Sequence, residues 1–262
     1  MAGRGAARAR PVARRAPDRH FLRSAALAEA IVADARIAPD DLVVDIGAGS
    51  GRLTAPLARA GAEVWAIELD VELAQALRRR FAGIANVRVI ERDVLRVPLP
   101  RRPFRVVANV PFGSTTAILR RLLDDPRRPL AQADVIVEWG LARKRATCWP
   151  STQLGITWAA WHELALVRRL PARCFEPKPG VDAGLLRATR RRVPLVAERD
   201  ASRFRHFVRV GFTEGLPRSR AARRCLDTLG LDHRAQPRDL DVHQWAALFD
   251  SIRRNRYAAV RT

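Results

Sequence analysis

From Ser24 onward, short apolar runs alternate with stretches whose apolar positions recur at helical spacing. Leu42–Ile46, Val64–Ile67, Val87–Ile90, Arg105–Ala108 and Val135–Val137 are brief and rich in β-branched residues. Runs of this kind predict strands covered on both faces, as parallel strands are. Between them, Val71–Phe81 and Thr115–Leu123 show helical spacing. Ser24 is placed to cap an earlier helix that carries Leu27, Ile31 and Val32 on one face. Regular alternation of strand and helix predicts a doubly wound, mostly parallel α/β sheet, whose ligands bind beyond the carboxyl ends of the strands.

The pattern changes after Ala188. Arg190-Arg191-Arg192 is followed by helical periodicity alone, with Phe204, Phe207, Val208 and Phe212 on one stripe and Trp245, Leu248 and Phe249 on another. Residues 189–262 hold 17 arginines against eight acids and predict a small, basic, all-α second domain after a catalytic domain at 18–188. Residues 1–17 offer little to bury. With five arginines and no acid before Asp18, they read as a disordered basic arm, either a solubilising tail or a grip on RNA.

An apolar fraction of 48% is enough for a proper core. No run of roughly 18 apolar residues predicts a membrane span. The N-terminus lacks the apolar stretch of a secretory signal, so a cytoplasmic protein is expected. Cys148, Cys174 and Cys225 are far apart and form no C-x-x-C pair, which argues against a disulfide framework or a zinc site. No other cluster suggests a metal. The formal net charge of +21 changes the picture most, because such a field attracts a polyanion. Nucleic acid is the expected partner and an anionic membrane surface its rival.

Candidate chemistry sits at the expected strand ends. Asp45-Ile46-Gly47-Ala48-Gly49-Ser50-Gly51 follows the first buried strand and opens a helix. Gly47, Gly49 and Gly51 let the backbone turn tightly and approach a ligand. A nicotinamide fold would prefer G-x-G-x-x-G here. The third glycine comes one residue earlier, and Asp45 suits the amino-acid end of S-adenosylmethionine better than a diphosphate. Glu68-Leu69 ends the next strand, where an acid can accept from both ribose hydroxyls. Asp93-Val94 follows the third, with Asp93 placed for the cofactor's adenine amino group and Val94 beside the ring. Each acid alone would pass for a loop or capping residue; it is the set at successive strand ends that points to a cofactor.

The fourth strand runs into Asn109-Val110-Pro111-Phe112. An adenine amino group is a poor nucleophile because its lone pair is delocalised into the ring. The amide oxygen of Asn109 and the carbonyl of Val110 can accept its two N–H bonds. Pro111 fixes the turn, and Phe112 can stack on an extruded base. No strong base is needed, since the proton leaves once the nitrogen is cationic. Positioning and a small electrostatic bias carry such chemistry.

Together these residues resemble the adenine-N6 rRNA methyltransferases, a family with a small-subunit branch and an erythromycin-resistance (Erm) branch. The resemblance covers roughly residues 18–255. It rests on the glycine turn, on Asn109–Phe112, and on Phe175-Glu176-Pro177-Lys178-Pro179-Gly180-Val181-Asp182, which is similar to the family's F-x-P-x-P-x-V loop near the target-base pocket. Val137-Glu138-Trp139-Gly140 and Phe207-Val208 with Gly211-Phe212-Thr213 resemble the Erm branch in particular. The resemblance implies a Rossmann-like fold with a seven-stranded sheet, S-adenosylmethionine as cofactor, and contacts to RNA from Phe175, Pro177 and Pro179. It further implies methylation of one adenine in the peptidyl-transferase region of 23S rRNA, before or during large-subunit assembly, by a monomer. The modified base would block macrolides, lincosamides and streptogramin B. Arg19-His20-Phe21-Leu22 falls where the family has its Q-N/H-F cofactor lid, so His20 and Leu22 are expected at the cofactor, with Arg19 replacing the usual glutamine. Arg190–Arg192 and Arg220, Arg223 and Arg224 are the expected phosphate contacts.

Two other classes stand beside this one. A small-subunit rRNA dimethylase would be expected to carry a longer C-terminal domain than these 74 or so residues. A non-catalytic RNA-binding factor would not need an intact Asn109–Phe112.

Overall fold

The five apolar runs form the parallel part of one sheet. The computed structural model describes residues 19–146 and 152–258, so the arm expected at 1–17 lies outside the described residues. In chain order the strands are β1 (Phe21–Leu22), β2 (Leu42–Ile46), β3 (Glu63–Glu68), β4 (Val87–Glu91), β5 (Phe104–Asn109), β6 (Leu130–Glu138), β7 (His162–Leu170), β8 (Phe175–Glu176) and β9 (Ala183–Arg190). The α-helices are α1 (Ala25–Ala35), α2 (Thr54–Arg59), α3 (Val71–Arg80), α4 (Thr115–Leu123), α5 (Trp139–Ala146), α6 (Gln153–Ala159), α7 (Ala201–Glu214), α8 (Arg220–Thr228) and α9 (Val242–Ala258).

The main sheet has seven strands in the order β4-β3-β2-β5-β6-β9-β7. β4, β3, β2, β5 and β6 are parallel, while β9 runs antiparallel between β6 and β7. Neighbouring residues of the inner strands serve opposite faces. Val44 and Val106 enter one core cluster, Val43 and Val107 the other. With helices on both faces most positions are apolar, and the buried acid Asp45 near the end of β2 stands out against them. Strand order reverses between β2 and β5, which places the ends of both, and the turns after them, at the sheet's switch point.

The helix starts follow local chemistry. Ser24 Oγ accepts the Leu27 N–H at 3.2 Å to cap α1, and Asp70 accepts from Leu73 at 3.1 Å to cap α3. Periodicity alone left β7 and β9 unassigned. β7 is an edge strand with half-covered residues, and β9 contains Gly184, whose missing Cβ leaves room for Ala142 and Leu166.

β9 continues to Arg190, two residues past the boundary expected at Ala188. The third core cluster also straddles that point: Ile156, Ala159, Ala160 and Trp161 pack with Phe204, Val208, Leu226, Trp245, Leu248 and Phe249. Phe204 and Val208 of the expected stripe are fully buried. Phe207 and Phe212 lie against Trp245 with ring centroids 5.6 and 5.7 Å away.

Gly211 is what lets Trp245 approach α7, since a Cβ there would stand 2.4 Å from its Cη2. Gly211→Ala should therefore lower stability by about 1–3 kcal/mol, the usual cost of overpacking. Thermal unfolding checks this; a melting temperature equal to the parent's would contradict the packing.

Candidate active site

The turn after β2 has three left-handed residues. Gly47, Gly49 and Gly51 have φ of 69°, 56° and 77°. A Cβ on Gly49 would sit 2.7 Å from Phe21 Cε1, and one on Gly51 2.7 Å from Phe81 Cε2. The backbone is thus pressed against neighbours on two sides, as a close-fitting ligand cradle requires. On the third side Gly47 faces the carbonyl of Asn109 and the ring of Pro111.

Glu68, at the end of β3 and only 6% exposed, holds this turn. Its Oε2 accepts the Gly49 N–H at 2.8 Å, and its Oε1 accepts the N–H groups of Leu69 and Asp70, both at 2.9 Å. A carboxylate offers about four acceptor sites. Three are engaged by backbone, so a bidentate grip on two ribose hydroxyls would have to share acceptor sites with these backbone donors. Asp45 is 1% exposed and accepts from Thr54 Oγ1 at 2.7 Å. Burial pushes its carboxyl up to about 7; the Thr54 bond opposes this and the charge of Glu68 adds to it. Thr54 escaped the sequence reading, although a hydroxyl nine residues after a buried acid, at the start of the next helix, was the available signal.

Asn109 ends β5, and its Nδ2 donates to the carbonyl of His20 at 2.6 Å. That bond fixes the amide's orientation and leaves Oδ1 as its acceptor end. His20 Nδ1 meets the carbonyl of Pro177 at 2.8 Å, and its ring lies 5.5 Å from that of Phe112. β1 pairs antiparallel with β8, Phe21 opposite Glu176. The lid segment and the Phe175–Asp182 loop are therefore one unit beside Asn109–Phe112. Arg19 is tied to the α3 cap through Asp70 at 2.9 Å. The Leu73 N–H and then Arg19 hold the Asp70 carboxyl below the usual range. Phe21 and Asn109 wall a cavity of about 20 Å³ with Asp45, Gly47 and Ala48.

Other expected residues fall on either side of burial. Leu69 is 63% exposed beside Glu68. Asp93 accepts the Leu95 N–H at 2.8 Å, and Val94 packs partly on the core. Phe175 is completely buried and Leu22 is 3% exposed, both in the second core cluster. Their side chains serve packing, which corrects the expected contact of Phe175 with RNA and limits Leu22 to the cavity wall. Pro179 is buried and Pro177 exposed. Of Arg190–Arg192, Arg190 bonds the Arg128 carbonyl at 2.8 Å and pairs with Glu198, and Arg191 bonds the Ala159 carbonyl at 2.8 Å and Glu163 at 3.3 Å. Two of the three expected phosphate contacts are thus turned inward; Arg192 is exposed, as are Arg220, Arg223 and Arg224 on α8. Among the described residues no group of three His, Cys, Asp or Glu could hold a metal ion, and no helix is long and apolar enough to cross a membrane.

The glycine cradle, backed by buried acids and facing an asparagine-led turn at the switch point, fits a nucleoside cofactor with an amino-acid tail. It belongs to a Rossmann-like, S-adenosylmethionine-dependent methyltransferase. More narrowly, the chain belongs to the ribosomal RNA adenine dimethylase family, whose pattern it matches over residues 13–236. It is 37% identical over 217 residues to the mycinamicin-resistance protein MyrB of Micromonospora griseorubida, covering 79% of this chain and 68% of that protein. It is 32% identical over 264 residues to ribosomal RNA small subunit methyltransferase A of a Synechococcus strain, covering 92% and 93%. The solved structure of the 23S rRNA methyltransferase ErmE superposes with a TM-score of 0.77 at 28% identity, covering 89% of this chain and 99% of that one. Because a small-subunit enzyme matches along nearly its whole length, C-terminal length does not separate the two branches as expected.

Asp45 generates a pH dependence. It is protonated below about 7 and ionised above. As an acceptor toward a cationic ligand it must be ionised, so cofactor affinity should rise with pH through that range and level off beyond it. Thr54→Val removes a bond that stabilises the carboxylate and should move the transition upward. Calorimetric titration with S-adenosylmethionine between about pH 6 and 9 tests this, and identical profiles for parent and variant would refute it.

Proposed function

We propose that the protein transfers one or two methyl groups to N6 of a single adenine in the peptidyl-transferase region of 23S rRNA, so that ribosomes resist macrolides, lincosamides and streptogramin B. The observation that carries the chemistry is the 2.6 Å bond from Asn109 Nδ2 to the carbonyl of His20, whose ring lies against that of Phe112; the bond leaves the amide oxygen as an acceptor. Likeness to the mycinamicin-resistance protein and to ErmE supports the large-subunit target.

Asn109 Oδ1 and the Val110 carbonyl accept the two N–H bonds of the target amine and draw its nitrogen toward a pyramidal shape, freeing the lone pair from the ring. Phe112 stacks on the extruded base. Asp45 serves the amino-acid end of the cofactor, Glu68 one ribose hydroxyl, and Asp93 the adenine amino group, with Leu69 and Val94 against the ring. S-adenosylmethionine, when bound, supplies a methyl group activated by its sulfonium. The enzyme acts in the cytoplasm as a monomer, without a metal, on rRNA not yet buried in the large subunit.

The nearly full-length match to a small-subunit methyltransferase favours one rival reading, action on 16S rRNA. Methyl transfer to naked 23S and 16S rRNA, with the modified nucleotide mapped, separates them: label in 23S alone supports the proposal and label in 16S alone ends it. Phe112→Ala should lose about 1–3 kcal/mol of base stacking while sparing cofactor binding. Asn109→Ala should cut turnover by on the order of 10²-fold with RNA affinity nearly unchanged. Equal losses of cofactor affinity in both variants would mean that these residues shape the fold instead.

A further inference from the structure

We infer that Arg169 is a specificity-determining residue: a fixed guanidinium plane on which a base flanking the target adenine stacks. The inference rests on the rRNA reading above. Strand order divides the carboxyl edge of the sheet into three stretches. The cofactor acids stand near the ends of β2 and β3 and just after β4, and the Asn109–Phe112 turn follows β5. Beyond that turn come β6, β9 and β7, whose edge residues have no part in the chemistry derived so far. There Val137, Gly184 and Arg169 stand in one row across the three strands, with Trp139 and Asp182 just outside it.

Arg169 is held from two sides. Its Nε and Nη2 donate to Asp182 Oδ2 at 2.9 and 2.7 Å, and its guanidinium lies 5.0 Å from the centroid of the Trp139 ring. Asp182 is anchored in turn. Its Oδ1 accepts the Ala172 N–H at 2.9 Å, and its carbonyl accepts the Trp139 N–H at 2.9 Å. Trp139 is seated over Gly184, where a Cβ would stand 3.2 Å from its Cε3. One extra residue in β7, between Leu166 and Arg168, brings Arg169 rather than Arg168 opposite Gly184. Arg80, Arg88 and Arg145 also lie over aromatic rings, but among the described residues none of these three is also paired with a carboxylate.

An arginine that only pinned a loop would be covered by it, yet 61% of the Arg169 side chain remains exposed. One face lies on the indole and one edge on Asp182, which leaves the opposite face to solvent. Guanidinium planes stack on unstacked bases, and a plane already fixed loses little rotamer freedom in doing so. Asp182 offsets the positive charge, so a phosphate gains less from this group than the face of a base does. Three strand spacings, about 14 Å, separate β7 from β5. That is too far for the base held at Asn109 and suits its neighbours along the strand.

The test uses the full chain and a naked rRNA fragment spanning the adenine that the parent methylates, with single abasic nucleotides placed in turn at the three positions on either side. An abasic nucleotide keeps its phosphate and loses its base. For the parent, one flanking position should raise KM by about five- to a hundredfold when its base is removed, the worth of one stacked base. Arg169→Lys keeps the charge and loses the plane. It should raise KM for the intact fragment by a similar factor and be indifferent to base removal at that same position, with the parent's cofactor affinity and melting temperature. A KM that rises equally on intact and abasic RNA would mark a phosphate contact or a purely structural role and overturns the inference. So does an unchanged KM, or a parent indifferent to every abasic position. Failure of the rRNA reading itself shows separately, as absence of methyl transfer by the parent to any rRNA.

Discussion

One carboxylate organises the site. Glu68 gathers the N–H groups of Gly49, Leu69 and Asp70, and so ties the glycine turn after β2 to the turn after β3. Three backbone donors on one buried acid are a strong constraint, because charge-assisted bonds are about twice as strong as neutral ones and a broken one would leave polar groups unsatisfied. The left-handed glycines make the approach possible. A second buried acid, Asp45, lies close enough for the Glu68 charge to contribute to its raised pKa. Two acids with little solvent around them make a poor home for bulk water and a good one for a cation bearing hydroxyl and ammonium groups.

The second constraint is the segment Arg19–Leu22, which has almost no structure of its own. It is held by a side-chain pair at Asp70, by a two-residue ladder with β8, and by contacts of His20 to Pro177, Phe112 and Asn109. The glycine turn and the Asn109–Phe112 turn therefore share one strap. Asp70, which caps α3 and follows Glu68 by two residues, connects that strap to the carboxylate.

Much of this was legible in the sequence. Inner parallel strands announce themselves because both faces are covered, and β2 appears where its five apolar-flanked residues stand. The glycine turn, the acids at successive strand ends and Asn109–Phe112 are local patterns, and the fold brings them together at one edge. What could not be read depends on distant partners. Arg190-Arg191-Arg192 has the composition of a solvated face, yet two of its members bond carbonyls at Arg128 and Ala159. Phe175 opens the motif expected beside a target base, but it lies in β8 and its direction is set by pairing with Leu22, which turns it into the core. The fourfold capacity of the Glu68 carboxylate is a matter of chemistry; how much of it the backbone uses is a matter of geometry 19 residues upstream, at Gly49. Edge strand β7 gives weak periodicity because its burial is uneven, and β9, buried along most of its length, is broken as an apolar run by Gly184 and Arg187.

The central claim, that Glu68 both builds the turn and receives the cofactor ribose, is tested most directly by titrating S-adenosylmethionine into Glu68→Gln and following heat. The account predicts a loss of about 1.5–3 kcal/mol, one hydrogen bond to a charged group, with the far-ultraviolet dichroism of the parent retained. Parent affinity in a folded Glu68→Gln protein would contradict it.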